Sequence, residues 1–221
     1  MPALTKNQYR NSIFIDFEGE GRSRSGEVKE PHICGVFKPN PKGKSGKYEA
    51  IIFRPFWKAV KNGMTGTAEI DDFNNFFQNL YIDCAKREKK IVFWTQHEEM
   101  ICQRFLNKVV LEGLKPFFHN LHPAARSYAN RREIFGESAK GKKLENFYQA
   151  LFPNRQSQPS LTPGPAEICR RIDRICESKT KWAQFNEREK EYVKDLFSYN
   201  QGDCRSTWLI ALKIGSTKAK E

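Results

Sequence analysis

The stretch IFIDFEGEG, residues 13–21, sets a short apolar run against two acids. Ile13, Phe14 and Ile15 open the run and Phe17 continues it, but Asp16 and Glu18 interrupt it before the glycines. The pattern reads as the end of a buried strand, where an unpaired charge is costly. Residues i and i+2 of a strand point to the same side, so Asp16 and Glu18 project together. Two carboxylates that close repel unless a cation sits between them. Hard divalent ions such as Mg²⁺ or Mn²⁺ take carboxylate oxygens and keep waters for substrate phosphates.

Outward from this strand (11–17), a polar turn over 19–31 leads to a second strand over 32–38. A turn-rich hairpin loop (39–47) then leads to a third strand over 48–54, which makes an antiparallel meander. The period then changes. Ile70, Phe73, Phe76, Phe77, Leu80, Tyr81 and Cys84 recur at helical spacing, so 69–86 reads as an amphipathic helix. KKIVFW (89–94) reads as a buried strand, and 98–111 as a helix with Ile101, Phe105, Leu106 and Val109 inside. PFFHNL (116–121) reads as a further strand. Helical pieces follow over 124–134, 142–152, 166–178 and 186–213, with a loop over 153–165. This order predicts an α/β fold: an antiparallel three-strand meander plus parallel strands in one mixed sheet, flanked by helices, as in a ribonuclease-H-like fold.

Composition sets the wider limits. The chain has 221 residues, 38% of them hydrophobic and 13% aromatic, with 17 Phe, which is globular rather than disordered. No apolar run approaches the roughly 18 residues of a membrane span, and MPALTKNQYR lacks the apolar core of a secretory signal. The expectation is a cytoplasmic protein with no membrane partner. The six cysteines, at 34, 84, 102, 169, 176 and 204, form no CxxC pair and read as reduced, buried thiols. A net charge of +12 points to a polyanionic partner, most simply nucleic acid.

Two-metal chemistry needs further acids. FWTQHEEMI offers Glu98 or Glu99, beside His97, after the buried strand and at the start of a helix. As helix-start acids, both equally suit the helix dipole. YNQGD offers Asp203, with Tyr199 one helical turn earlier and Asn200 within reach of the same cluster. A tyrosine at that spacing can lean over an ion held by the aspartate and orient water or the scissile phosphate. His119 and His122 lack a third ligand and read as structural.

With these residues the chain resembles the DEDD exonuclease superfamily. Its first motif, Asp-x-Glu at the end of the first strand, is matched by IFIDFEGEG, and the Tyr-x3-Asp third motif of one branch by YNQGD. In most of the family the second motif ends in Asp. The Glu98 found here, four residues after Trp94, is similar to a bacterial subgroup of predicted nucleases with Glu in that slot. The resemblance implies catalytic residues Asp16, Glu18, Glu98, Asp203 and Tyr199, with the four acids holding two Mg²⁺ or Mn²⁺ ions. It further implies 3′–5′ exonuclease action on ends of single-stranded DNA or RNA. An endonuclease, a nuclease of small oligonucleotides, and an inactive nucleic-acid-binding module stand as alternatives.

The organisation expected is a flexible N-terminus (1–10), one nuclease domain (11–213) with a helical insertion around 122–185, and a flexible tail (214–221). The insertion is a candidate docking surface for a larger complex, and the oligomeric state is left open. The basic runs at 38–47, 86–90 and 141–151 are candidate phosphate contacts, or solvated surface. Trp57, Phe147 and Tyr148 are candidates to stack on bases, with burial the competing reading.

Overall fold

The computed structural model describes residues 3–21, 26–41, 45–136, 142–155 and 161–215. In chain order the elements are helix α1 (Lys6–Arg10), strands β1 (Ile13–Glu18), β2 (Ile33–Pro39) and β3 (Gly46–Ile52), helix α2 (Lys58–Gly63), strand β4 (Ala68–Ile70), helix α3 (Phe73–Arg87) and strand β5 (Ile91–Phe93). Helices α4 (Gln96–Phe105) and α5 (Lys108–Leu114), strand β6 (Phe118–Asn120), and helices α6 (His122–Arg131), α7 (Leu144–Leu151), α8 (Pro165–Ser178) and α9 (Glu187–Ile214) complete the chain. Among the described residues the strands form one sheet of order β4-β3-β2-β1-β5-β6. β1, β2 and β3 pair antiparallel, whereas β5 runs parallel to β1, β6 to β5 and β4 to β3. The α/β architecture expected from the sequence is therefore the one observed, and the meander with its parallel strands is consistent with a ribonuclease-H-like arrangement.

Alternation along β1 divides the core. Ile13, Ile15 and Phe17 enter one hydrophobic layer with Phe73, Phe77, Leu80 and Cys84 of α3. Phe14 enters the other, with Leu196, Phe197 and Trp208 of α9. Asp16 and Glu18 continue the Phe14 side by the period of two. They therefore stand on the α9 face, at the end of the strand. On the same face, Ile33 and Phe37 of β2 and Tyr48, Ala50 and Ile52 of β3 join the α9 layer.

The structure differs from the sequence reading in several places. The helix expected from residue 69 starts at Phe73, where Asp72 caps it by accepting from the Asn75 amide; Ala68–Ile70 is the strand β4. The helix expected over 98–111 is two helices, because the Asn107 side chain accepts from the Val110 amide and starts α5 anew. The break turns Val109 outward, so that a residue expected inside is 84% exposed. Residues 6–10, expected within a flexible N-terminus, form the helix α1, capped by Thr5 and anchored by the buried Tyr9. Helix α2 was not expected. Residues 42–44 and 141 of the basic runs, 156–160 of the long loop and 216–221 of the tail lie outside the described residues.

The helices of the expected insertion share the sheet's own core. Ala125 and Ala129 of α6, Phe147 of α7, and Ile168 and Ile172 of α8 lie in one cluster with Val193 and Leu196 of α9. Trp57 and Phe147 are buried in that layer, which answers for them the choice between stacking and packing.

On the opposite face, Phe77 is fully buried and touches the rings of Phe17, Phe73 and Phe76. Phe77→Ala is expected to cost about 3–5 kcal/mol of stability, read as a lower urea midpoint at unchanged m-value.

Candidate metal centre

The strand period and the path of α9 bring three acids together. Oxygens of Asp16, Glu18 and Asp203 lie within 4.8 Å of one another. A cleft of about 300 Å³ opens onto Asp16, Glu18, His97 and Glu98, with Pro165 and Ala166 at the start of α8 on its other side. Burial, then the charges of Glu18, Asp203 and Glu98, drive the Asp16 carboxyl far above its ordinary range. Glu18 is raised by burial and by Asp203 and Glu98, against a hydrogen bond with Asp16 that favours its ionised form. Burial pushes Asp203 to about 7, opposed by its hydrogen bond with Tyr199. The charged neighbours that raise these groups are other carboxylates, a field that favours a bound cation. Three carboxylate oxygens at this spacing suit a hard, oxygen-seeking ion.

Glu98 stands outside that mutual 4.8 Å grouping but acts on it through charge. Its Oε2 accepts from the Thr95 amide (3.1 Å) and hydroxyl (3.0 Å), which closes a capping box at the start of α4. Burial raises it to about 6, and the hydrogen bonds at the helix start restrain the shift. Glu99 accepts from Gln103 and does not line the cleft. Of the two glutamates, Glu98 is the one that lines the cleft. Tyr199 sits one turn before Asp203 on α9 and hydrogen-bonds its carboxylate; burial and the charges of Asp203, Glu18 and Asp16 hold the phenol well above its usual range. Asn200 of α9 reaches Asp16 directly. Glu145 of α7 adds negative potential at Asp203. Its place there was not legible from the chain, because nothing local ties that helix to the cleft.

A second trio, Glu20, His32 and Asp173, is equally compact but differs electrically. Lys29 reaches Glu20 at 2.6 Å and holds its carboxyl below the usual range. Burial would raise Asp173, but hydrogen bonds with His32 (2.7 Å) and Trp57 (2.8 Å) bring it below its ordinary value. The charges in this trio are already answered. His119 bonds to the Tyr9 hydroxyl, and His122 packs edge-to-face against Trp94 and Phe147, which are structural roles.

Of the basic runs, Arg87 and Lys89 are tied to Asp83, and Lys90 to the Pro116 carbonyl. The denser positive surface lies on α8, where Arg170, Arg171 and Arg174 crowd one carboxylate, that of Glu167, at 2.9, 3.0 and 3.4 Å. Arg171 and Arg188 also flank the Tyr192 ring, with guanidinium carbons 5.1 and 5.7 Å from its centroid. All six cysteines are buried and free. Among the described residues, no helix is long and apolar enough to cross a membrane. Comparison with protein-family models, with curated proteins and with solved structures returned no match.

The raised carboxyls give a pH signature. Asp16, Glu18, Glu98 and Asp203 all lie above their ordinary values in the folded chain, the last two near 6 and 7. These four acids outnumber the lowered imidazoles of His119 and His122, which act the other way, so the folded state holds more protons than the unfolded state between about pH 4 and 7. Stability without metal is therefore expected to fall as pH rises through that window. Mn²⁺ is expected to raise the melting temperature more at pH 7.5 than at pH 5, as differential scanning calorimetry would show.

Proposed function

We propose that this chain is a divalent-metal-dependent nuclease that hydrolyses phosphodiester bonds, acting as a 3′–5′ exonuclease on single-stranded DNA or RNA. The observation that carries this reading is the convergence of Asp16, Glu18 and Asp203 within 4.8 Å, each raised by burial and by neighbouring carboxylates, beside an open cleft. The order of the mixed sheet supports it, because it puts the first acids at the end of the central strand under a helix that brings the last. The match of both end motifs to the DEDD superfamily supports it further.

In this reading Asp16, Glu18 and Asp203 hold two Mg²⁺ or Mn²⁺ ions, with Glu98 as the fourth acid. Such ions would supply Lewis acidity to the scissile phosphate and help to activate water. The protein's own groups do the rest. Asp203 accepts from Tyr199, so the phenol is held over the carboxylates, where its hydroxyl oxygen accepts from the attacking water and positions it against the phosphate. Burial keeps Tyr199 neutral, so it acts as a hydrogen-bond donor and not as a base. The start of α8 borders the cleft at Pro165 and Ala166, and the arginines of the same helix lie one and two turns further along. Three guanidiniums sharing one carboxylate leave excess positive charge for the phosphates of a strand leaving the cleft. The buried free thiols suit a reducing compartment such as the cytoplasm.

Purified protein with 5′-labelled linear and circular single strands, DNA and RNA in parallel, provides the test. Shortening of the linear strand only with Mg²⁺ or Mn²⁺, lost in Asp16→Ala and Asp203→Ala, is the expected outcome. Cutting of the circle would replace the exonuclease by an endonuclease, and unchanged cleavage in either variant would overturn the assignment of the acids. Tyr199→Phe should lower kcat by about 10²-fold. Arg170→Gln with Arg174→Gln should weaken binding of long single strands evenly across sequences. The slope of log K against log salt should fall by about 1–2 in that double variant.

A further inference from the structure

Asn200 occupies a place where an asparagine needs a reason. It lies in the middle of α9 and is fully buried, although asparagine is a weak helix former and a buried amide must find partners. Its partners are specific. The Nδ2 group donates to the Asp16 carbonyl oxygen at 3.1 Å and to Asp16 Oδ2 at 2.8 Å, while Oδ1 accepts from the Tyr48 hydroxyl at 2.8 Å. The orientation of the amide is fixed by chemistry: a main-chain carbonyl oxygen can only accept, so the end that faces it is the NH₂. One side chain thus grips a single residue twice, by its main chain and by its carboxylate.

The sheet beneath is shaped for this contact. Gly35 pairs directly with Asp16 across β1 and β2, on the α9 face. A Cβ on Gly35 would lie 1.8 Å from Asn200 Oδ1 and 2.8 Å from its Cγ. The absent side chain is the space the amide occupies. Tyr48, on the next strand and the same face, is itself buried and closes the chain of hydrogen bonds.

We propose that Asn200 is a positioning residue for the metal centre: it commits Asp16 Oδ2 to a hydrogen bond, fixes the rotamer of that carboxylate and leaves Oδ1 to face a cation, with Gly35 and Tyr48 holding Asn200 in turn. The inference rests on the metal-centre reading above. Outer partners of this kind are worth about 10–100-fold in metal affinity in other sites. An amide that merely pinned α9 to the sheet would alter stability without altering metal affinity, so affinity is the quantity to read.

The experiment is calorimetric titration of metal-free protein with Mn²⁺, alongside circular dichroism. Asn200→Ala is expected to stay folded and to bind Mn²⁺ at least tenfold more weakly. Tyr48→Phe, which keeps the ring and removes only the donor to Oδ1, is expected to weaken binding several-fold. Gly35→Ala should weaken it as Asn200→Ala does. The double variant should be no weaker than Asn200→Ala alone, because the clash disappears with the amide. Wild-type Mn²⁺ affinity in folded Asn200→Ala would overturn the proposal. Should Asn200→Ala fail to fold, wild-type affinity in Tyr48→Phe would overturn it instead. A wild-type protein that binds no Mn²⁺ overturns the metal centre itself, and the two failures are thereby told apart.

Discussion

Repulsion among carboxylates that share a buried corner is the constraint around which the molecule is organised. Asp16 and Glu18 come from one strand and Asp203 from a helix more than 180 residues later; Glu18 and Asp203 both raise Asp16, and Asp203 raises Glu18. A low-dielectric corner makes such repulsion stronger than it would be in water. A fold keeps an arrangement of this kind only when the surrounding structure over-determines it, and such arrangements cluster at functional sites. Here β1 lies inside the sheet, between β2 and β5, with packed layers on both faces. Aromatic packing of Phe17 on Phe73 below and Trp208 on Phe37 above contributes the opposing stability.

Helix α8 shows how the least regular part of the chain serves that corner. Its first residues border the cleft, its middle offers Asp173 to His32 and Trp57, and its outer face carries the arginines. Asp173 ties three separate parts of the chain together: α8, the start of β2 and the turn before α2. Two compact trios of metal-type ligands therefore sit near each other with opposite electrical states. One has its charges matched by lysine, histidine and indole donors, and the other does not. Proximity of acids alone does not distinguish them; the presence of counter-charge does.

Much of the fold was legible because strong periodicities decide it. IFIDFE and HICGVFK alternate as strands, and the long 28-residue α9 carries its own capping box at Asn186 and Glu189. Misreadings came from short elements and local caps. Ile70 falls in helical register with Phe73, which hid a three-residue strand, although Asp72 was a readable cap. Asn107 was a readable cap as well, and it broke a helix that apolar spacing alone would continue. At the candidate site, the acids stood out because charges at the end of a buried strand are anomalous. Glu145 did not, since only tertiary packing carries α7 to Asp203. Gly35 had left a trace: a lone glycine inside a strand marks a close approach, but the partner that approaches could not be read from the strand.

Glu98 is bound to the start of α4 through Thr95, and that double use joins helix nucleation to the site. A glutamate at this position reaches back over one turn to the cap while its second oxygen remains uncommitted to Thr95. An aspartate, one methylene shorter, would have to choose between the two tasks. Reach as well as charge therefore decides where this carboxylate sits, and an uncharged threonine sets the position of a buried acid beside the cleft.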